Sequence, residues 1–86
     1  MATEHIPDEK IPIAPPLNVL KSTTVTKKAG WWMAVVLMES WGRKSVGVYL
    51  WQKKKDGWKR KQKFTIHSAE KWKAIVEAVS SYISEV

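Results

Sequence analysis

Aromatic and basic residues alternate within one short segment of the sequence, and together they supply the chemistry for binding a polyanion that carries flat rings. Lysine and arginine side chains hold phosphate groups, while tryptophan and tyrosine rings stack on unpaired bases. This combination predicts a nucleic-acid-binding surface. Its candidate residues are Trp41, Arg43, Lys44, Tyr49, Trp51, Lys53, Lys54, Lys59, Lys61 and Lys63.

The positive charge of the chain is concentrated in its middle segment. The 86 residues carry a formal net charge of +7. Residues 21–67 contain twelve lysines and arginines against two acidic residues, a net charge of +10, whereas the flanking segments are slightly acidic. Such a field attracts polyanions and accelerates their capture. Two ordinary explanations remain open, because tryptophans in small domains are mostly core and lysine-rich strand faces are often only solvated.

The sequence offers little of what an enzyme or a metal site requires. Without cysteine it has neither a disulfide nor a thiolate zinc site, and two distant histidines, His5 and His67, are a poor ligand set. Glu39 and Asp56 are the only acidic residues in the predicted sheet, and the scattered glycines form no phosphate-binding loop. We therefore expect no catalytic residue, no bound metal and no cofactor.

The candidate residues fall on predicted β-strands. Runs rich in β-branched and aromatic residues predict strands at 22–28, 31–41, 44–52 and 58–66. Ala29-Gly30, Gly42-Arg43-Lys44 and Asp56-Gly57 supply the turns between them. This order predicts a four-stranded antiparallel sheet followed by one C-terminal helix, a ββββα domain of the α+β class.

Alternation along the strands assigns side chains to faces. In the third strand the aliphatic row is Val46, Val48 and Leu50. We expect this row to be core, which leaves Tyr49 and Trp51 on the outward face. In the fourth strand one face carries Lys59, Lys61 and Lys63. Adjacent Trp31 and Trp32 cannot both face inward.

The C-terminal segment predicts an amphipathic helix that begins after Ser68. Ser68 can cap the free amide groups, and Glu70 in the first turn complements the helix dipole. The apolar stripe of this helix is Trp72, Ile75, Val76, Val79 and Ile83. The stripe must cover the sheet or a second subunit, and we expect Trp72 to lie in the core.

Residues 1–20 form a different kind of segment. They contain all four prolines and follow neither apolar period, which predicts an extended arm before a single domain at 21–86. Its first ten residues are expected to be disordered, whereas the apolar residues Ile11, Ile13, Leu17, Val19 and Leu20 indicate that part of the arm lies against the domain or a partner subunit. No secretory signal or membrane-spanning stretch is present, so we expect an intracellular protein in the nucleoid, cytoplasm or nucleus. Since so short a chain buries little surface, we also expect a dimer.

Two segments of the sequence resemble a known family. Residues 62–83 read QKFTIHSAEKWKAIVEAVSSYI, a basic strand that runs into a capped helix with an early tryptophan, and residues 37–51 read LMESWGRKSVGVYLW. Both are similar to the corresponding parts of the positive cofactor four family of single-stranded DNA-binding transcriptional coactivators. The resemblance implies a homodimer whose curved sheets present grooves to single-stranded DNA or to the strands of melted duplex, in contact with the transcription machinery.

The resemblance also assigns roles to individual residues. Trp41 takes the place of the family's exposed aromatic residue, and Arg43 and Lys44 take the places of its basic turn residues. Lys61 and Lys63 match its basic fourth strand, and Trp51 lies near the aromatic residue that ends its third strand.

The sequence thus predicts a non-enzymatic module that binds single-stranded DNA largely without sequence preference, in transcription or in replication and repair. A chromatin-type protein that binds duplex DNA, or an RNA-binding protein, could use the same sheet. A third hypothesis is a protein-interaction module whose basic strand docks an acidic partner.

Overall fold

A computed structural model describes residues 11–86 of the chain as an open antiparallel sheet followed by a helix. The elements are β1 (Asn18–Lys28), β2 (Trp31–Ser40), β3 (Arg43–Lys54), β4 (Gly57–Ile66), α1 (Ala69–Tyr82) and a 3₁₀ turn (Ile83–Glu85). The strands lie in the order β1-β2-β3-β4, and the sheet is curved. This confirms the predicted α+β arrangement. The expected disorder of the first ten residues lies outside the described part of the chain.

Tight turns join the strands and fix their pairing. Ala29 and Gly30 have φ of 54° and 81°, and Trp41 and Gly42 have φ of 55° and 78°. Two consecutive residues with positive φ are the mark of a type I′ turn, whose twist matches that of the flanking strands. β1 begins at Asn18, inside the segment expected to be an arm, because its first residues pair with the end of β2.

The pairing of β2 with β3 determines which side chains share a face, since directly opposite residues point the same way. Trp32 pairs with Trp51, Ala34 with Tyr49, and Val36 with Gly47. We call this side the aromatic face. The other side, the aliphatic face, carries Met33, Val35, Leu37, Val46, Val48, Leu50, Phe64 and Ile66.

The buried core lies on the aromatic face and not on the aliphatic one. Its fully buried residues are Trp32, Ala34, Val36, Met38, Tyr49 and Trp51. Trp51 is only 1% exposed, so the expectation that it faces solvent is wrong. It does lie opposite the Val46, Val48 and Leu50 row as alternation predicts. The arm, however, covers the face of the sheet that carries Trp51, because Ile11, Ile13 and Leu17 pack against this core.

Gly47 makes room for the aromatic core. A Cβ atom at this position would lie 2.5 Å from Cε of Met38 and 2.5 Å from Cε1 of Tyr49. The Tyr49 ring therefore lies directly over the Gly47 backbone, and its hydroxyl donates to the Met38 sulfur at 3.3 Å. Glycine at 47 is what lets this ring lie flat on the sheet.

A β-bulge in β4 changes the predicted lysine row. Leu50 pairs with Gln62 but Trp51 pairs with Arg60, so Lys61 is an extra residue in β4. Lys63 pairs with Tyr49 on the aromatic face, whereas Lys59 pairs with Gln52 on the opposite face. The prediction of one face for Lys59, Lys61 and Lys63 is therefore wrong, because strict alternation fails at the bulge.

Helix α1 begins as predicted but is not packed as predicted. The Ser68 hydroxyl accepts a hydrogen bond from the Lys71 amide at 3.1 Å, which confirms the cap. No residue of the helix is buried, and Trp72 is 46% exposed, so its expected place in the core is wrong for the single chain. The physical reason is that α1 projects from the end of β4 and barely contacts the sheet. Within residues 11–86, no helix has the length and apolar composition needed to cross a bilayer.

The adjacent tryptophans at the start of β2 divide between the two sides. Trp32 is 1% exposed and Trp31 is 39% exposed, which confirms that they do not both face inward.

Candidate nucleic-acid interface

Four aromatic rings from three strands form a continuous row on the aromatic face. Tyr49 and Trp51 are stacked, with ring centroids 5.2 Å apart and an interplanar angle of 13°. Trp32 lies 5.2 Å from Trp51 in a tilted arrangement, and 5.3 Å from Trp58 in an edge-on arrangement. We call Tyr49, Trp51, Trp32 and Trp58 the aromatic row. Each contact has a separation and angle typical of a favourable aromatic pair.

Hydrogen bonds set the orientation of the middle of the row. The indole N–H of Trp32 donates to the Thr24 hydroxyl of β1 at 3.0 Å. The Tyr49 hydroxyl donates to the Met38 sulfur, so the polar groups of both Trp32 and Tyr49 have partners. These bonds, together with close ring packing, make the row a fixed aromatic floor, although its rings are tilted relative to one another.

Lysine ammonium groups border this floor at both ends. Lys27 Nζ lies 4.0 Å from the centroid of Trp32, and Lys53 Nζ lies 5.1 Å from that of Trp58. Lys63 Nζ lies 5.7 Å from the centroid of Tyr49. These distances are within the range of cation–π attraction. Cationic groups and rings thus share one side of the sheet.

Two hairpin turns bring further lysines to one end of the sheet. The Lys53 amide donates to the Gly30 carbonyl at 2.8 Å, so the β1–β2 and β3–β4 turns lie next to each other. This basic end consists of Lys27, Lys28, Lys53, Lys54 and Lys55. The 3.4 Å ion pair of Lys59 with Asp56 is largely exposed, and pairs of this kind contribute little to stability.

Trp41 stands at the opposite end of the sheet. It is 88% exposed and has φ of 55°, a conformation that bulky residues rarely adopt. Arg43 and Lys44 follow it at the start of β3 and are exposed. Because a strand rises about 3.3 Å per residue, β2 separates Trp41 from the basic end by roughly 30 Å. A strained, exposed ring of this kind is more typical of a binding residue than of a structural one.

The structure brings together some of the predicted site residues and separates others. Tyr49, Trp51, Lys53 and Lys63 meet on the aromatic face, with Lys54 at the adjacent basic end. Lys59 points to the opposite face and Lys61 lies at the bulge. Trp41, Arg43 and Lys44 form a separate group at the far turn.

Three residues of the aromatic face were not among the predicted site residues: Lys27, Trp32 and Trp58. A sequence signal for the first two exists, because a two-residue turn at Ala29-Gly30 necessarily places Lys27 opposite Trp32. Trp58 is likewise placed opposite Lys53 by the tight β3–β4 turn, whereas the bulge beyond it brings Lys63 to the same face, and the sequence does not reveal that bulge.

The chemistry of the aromatic face is supplied by its rings and its ammonium groups. Among residues 11–86, no group of three or more His, Cys, Asp or Glu side chains could hold a metal ion. Flat rings edged by ammonium groups can hold bases and phosphates at the same time. Comparison with protein-family models, curated proteins and solved structures found no significant match to this chain.

Proposed function

We propose that this chain is a non-enzymatic protein that binds single-stranded DNA largely without sequence preference, in transcription or in replication and repair. The observation that carries the proposal is the aromatic row with lysine ammonium groups 4.0, 5.1 and 5.7 Å from its rings. The resemblance of residues 37–51 and 62–83 to the positive cofactor four family supports the same function.

The geometry favours a single strand over a duplex. Bases that are already stacked and paired in a duplex cannot lie flat on protein rings, whereas unpaired bases can. Lys53 and Lys63 are exposed at the two ends of the row and are available to contact different phosphates of one bound strand. Rings and ammonium groups do not distinguish one base from another, so the binding has little sequence preference.

Trp41 provides a second stacking position. Its side chain is 88% exposed and therefore accessible to a base, and the exposed Arg43 and Lys44 follow it in the chain and can contact the phosphates. A strand long enough to reach both groups would run along the sheet from the basic end to the far turn.

The functional unit that we propose is a homodimer. On the aliphatic face Phe64 is 53% exposed, and on α1 Val79 is 50% and Ile83 is 58% exposed. A shallow groove of about 510 Å³ on this face is lined in part by Met33, Val48 and Phe64. Isolated helices of this length are marginal in water, so α1 needs a partner surface, and a second copy offers apolar surface of the same kind.

A binding experiment with three probes tests the proposed function. Fluorescence anisotropy would compare single-stranded DNA, duplex DNA and RNA of equal length at two salt concentrations. We expect the tightest binding to single-stranded DNA. Preference for the duplex would favour a chromatin-type protein, preference for RNA an RNA-binding one, and no binding at low salt an acidic protein partner; each of these results would overturn the proposal.

Lysine variants locate the binding surface. Each phosphate contact on a single strand contributes about −0.7 to the slope of log affinity against log salt. Lys53→Gln with Lys63→Gln should therefore make the slope shallower by roughly 1.4 if each lysine holds one phosphate. The matched control is Lys73→Gln on α1, an exposed lysine far from the aromatic face, which should leave the slope unchanged. Equal slopes in all three proteins would exclude the aromatic face as the binding surface.

A further inference from the structure

The aromatic row is covered by the chain's own N-terminal arm. Tyr49 is 2% and Trp51 is 1% exposed, so no base can stack on either ring while the arm is in place. Within residues 11–17, the side chains that pack over this core are Ile11, Ile13 and Leu17. Binding by the aromatic row therefore requires the arm to move.

The contacts that hold the arm are of a kind that can be released without unfolding the sheet. β1 begins at Asn18, so residues 11–17 are not part of the strand ladder. The backbone hydrogen bonds recorded for this segment are internal to it: the Ile13 amide donates to Ile11 at 2.8 Å, and the Leu17 amide donates to Ala14 at 3.3 Å. Its three prolines have no amide hydrogen with which to join a ladder. Within residues 11–17, the contact with the sheet that remains is the apolar packing of Ile11, Ile13 and Leu17.

With the arm in place, the lysine ammonium groups are accessible to a ligand but the rings are not. Lys53 and Lys63 are exposed while the arm lies in place, whereas Tyr49 and Trp51 are not. Phosphates can therefore contact the lysines first, and the bases can reach the rings only after the arm has left.

We propose that residues 11–17 are a displaceable lid over a cryptic base-stacking site formed by the aromatic row, and that a single strand displaces this lid when it binds. The proposal rests on the proposed function. The observed affinity equals the affinity of the open form multiplied by the fraction of molecules in which the site is open, so the lid lowers it. A variant with a weakened lid should therefore bind more tightly than the natural protein, the reverse of what loss of a binding residue would give.

An affinity measurement on the full chain tests the lid. Ile13→Ser with Leu17→Ser removes two of the three covering side chains within residues 11–17, and Ala14→Ser is the matched control because Ala14 is exposed in the same segment. We expect the double variant to bind oligothymidylate about tenfold more tightly, equivalent to about 1.4 kcal/mol, and the control to bind as the natural protein does.

The outcomes separate the lid from the proposed function. If the natural protein binds and the double variant binds equally or more weakly, the lid is wrong while the function stands. If neither protein binds oligothymidylate, the proposed function is wrong and the lid falls with it.

A reporter on the arm gives a second test that does not depend on the double variant folding. Because the chain has no cysteine, Ala14→Cys provides a unique site for a bimane fluorophore, which tryptophan quenches at short range. Addition of oligothymidylate should increase its emission as the arm leaves the tryptophans, while the same label at Ser80→Cys on α1 should not respond. Binding without an increase at position 14 would overturn the lid.

Discussion

Replacing Gly47 with alanine tests whether the Tyr49 ring lies where the structure places it. The added Cβ would lie 2.5 Å from Cε1 and 3.2 Å from Cδ1 of Tyr49, and real Cβ contacts are essentially never shorter than 3.0 Å. The Met38 methyl group, also 2.5 Å away, is the end of a flexible side chain and can move. The Tyr49 ring cannot move without leaving its stacked position on Trp51.

The expected magnitude follows from two opposing effects. Overpacking a core costs about 1–3 kcal/mol. In a strand interior without such a clash, alanine raises the free energy of unfolding by roughly 0.5–1 kcal/mol relative to glycine. We therefore expect Gly47→Ala to lower the free energy of unfolding by about 1–2 kcal/mol, measured by urea titration with circular dichroism and tryptophan emission.

The same substitution in a background without the ring provides the control. In Tyr49→Val the obstacle is absent, so Gly47→Ala should become neutral or stabilise by up to about 1 kcal/mol relative to that background. The sign of the effect is expected to reverse between the two backgrounds. Destabilisation of the same size in both would refute the reasoning, because the strain would then come from something other than the Tyr49 ring.

Three further substitutions separate binding, folding and assembly. Trp41→Asn keeps a residue that tolerates positive φ, so we expect unchanged thermal stability but a loss of about 1–3 kcal/mol in single-strand affinity; equal affinity would remove Trp41 from the site. Trp51→Ala should destabilise the fold by about 3–5 kcal/mol in chemical denaturation, because the ring is buried, and a small effect would show that its side is not core. Trp72→Ser should shift the proposed homodimer toward monomer in sedimentation equilibrium while Lys73→Ser does not, and an equal association of both variants would place the interface away from the helix stripe.

Local patterns in the sequence predicted much of this fold. β-branched runs and turn residues located four strands, and Ser68 located the start of the helix, because these features depend on neighbouring residues alone. Alternation correctly separated Tyr49 and Trp51 from Val46, Val48 and Leu50.

What the sequence did not predict depends on contacts between distant parts of the chain. The packing of Ile11, Ile13 and Leu17 decides which face of β3 is buried. No local sequence pattern contains that information. The lysine row of β4 was misassigned because the bulge at Lys61 arises from pairing with β3. Trp72 belongs to an apolar stripe, but periodicity does not say whether that stripe covers the same chain or another one.

The open sheet has two outer strands, β1 and β4, whose free edges could pair with strands of other molecules. β4 carries Lys59, Arg60, Lys61 and Lys63 and is kinked by its bulge, and β1 is interrupted by two register shifts. Charge and irregularity of this kind protect an edge from growing into a longer sheet. Lys63, which would contact a phosphate of the bound strand, therefore also helps to protect the edge of β4, so removing it together with the other cationic residues of this strand should promote aggregation.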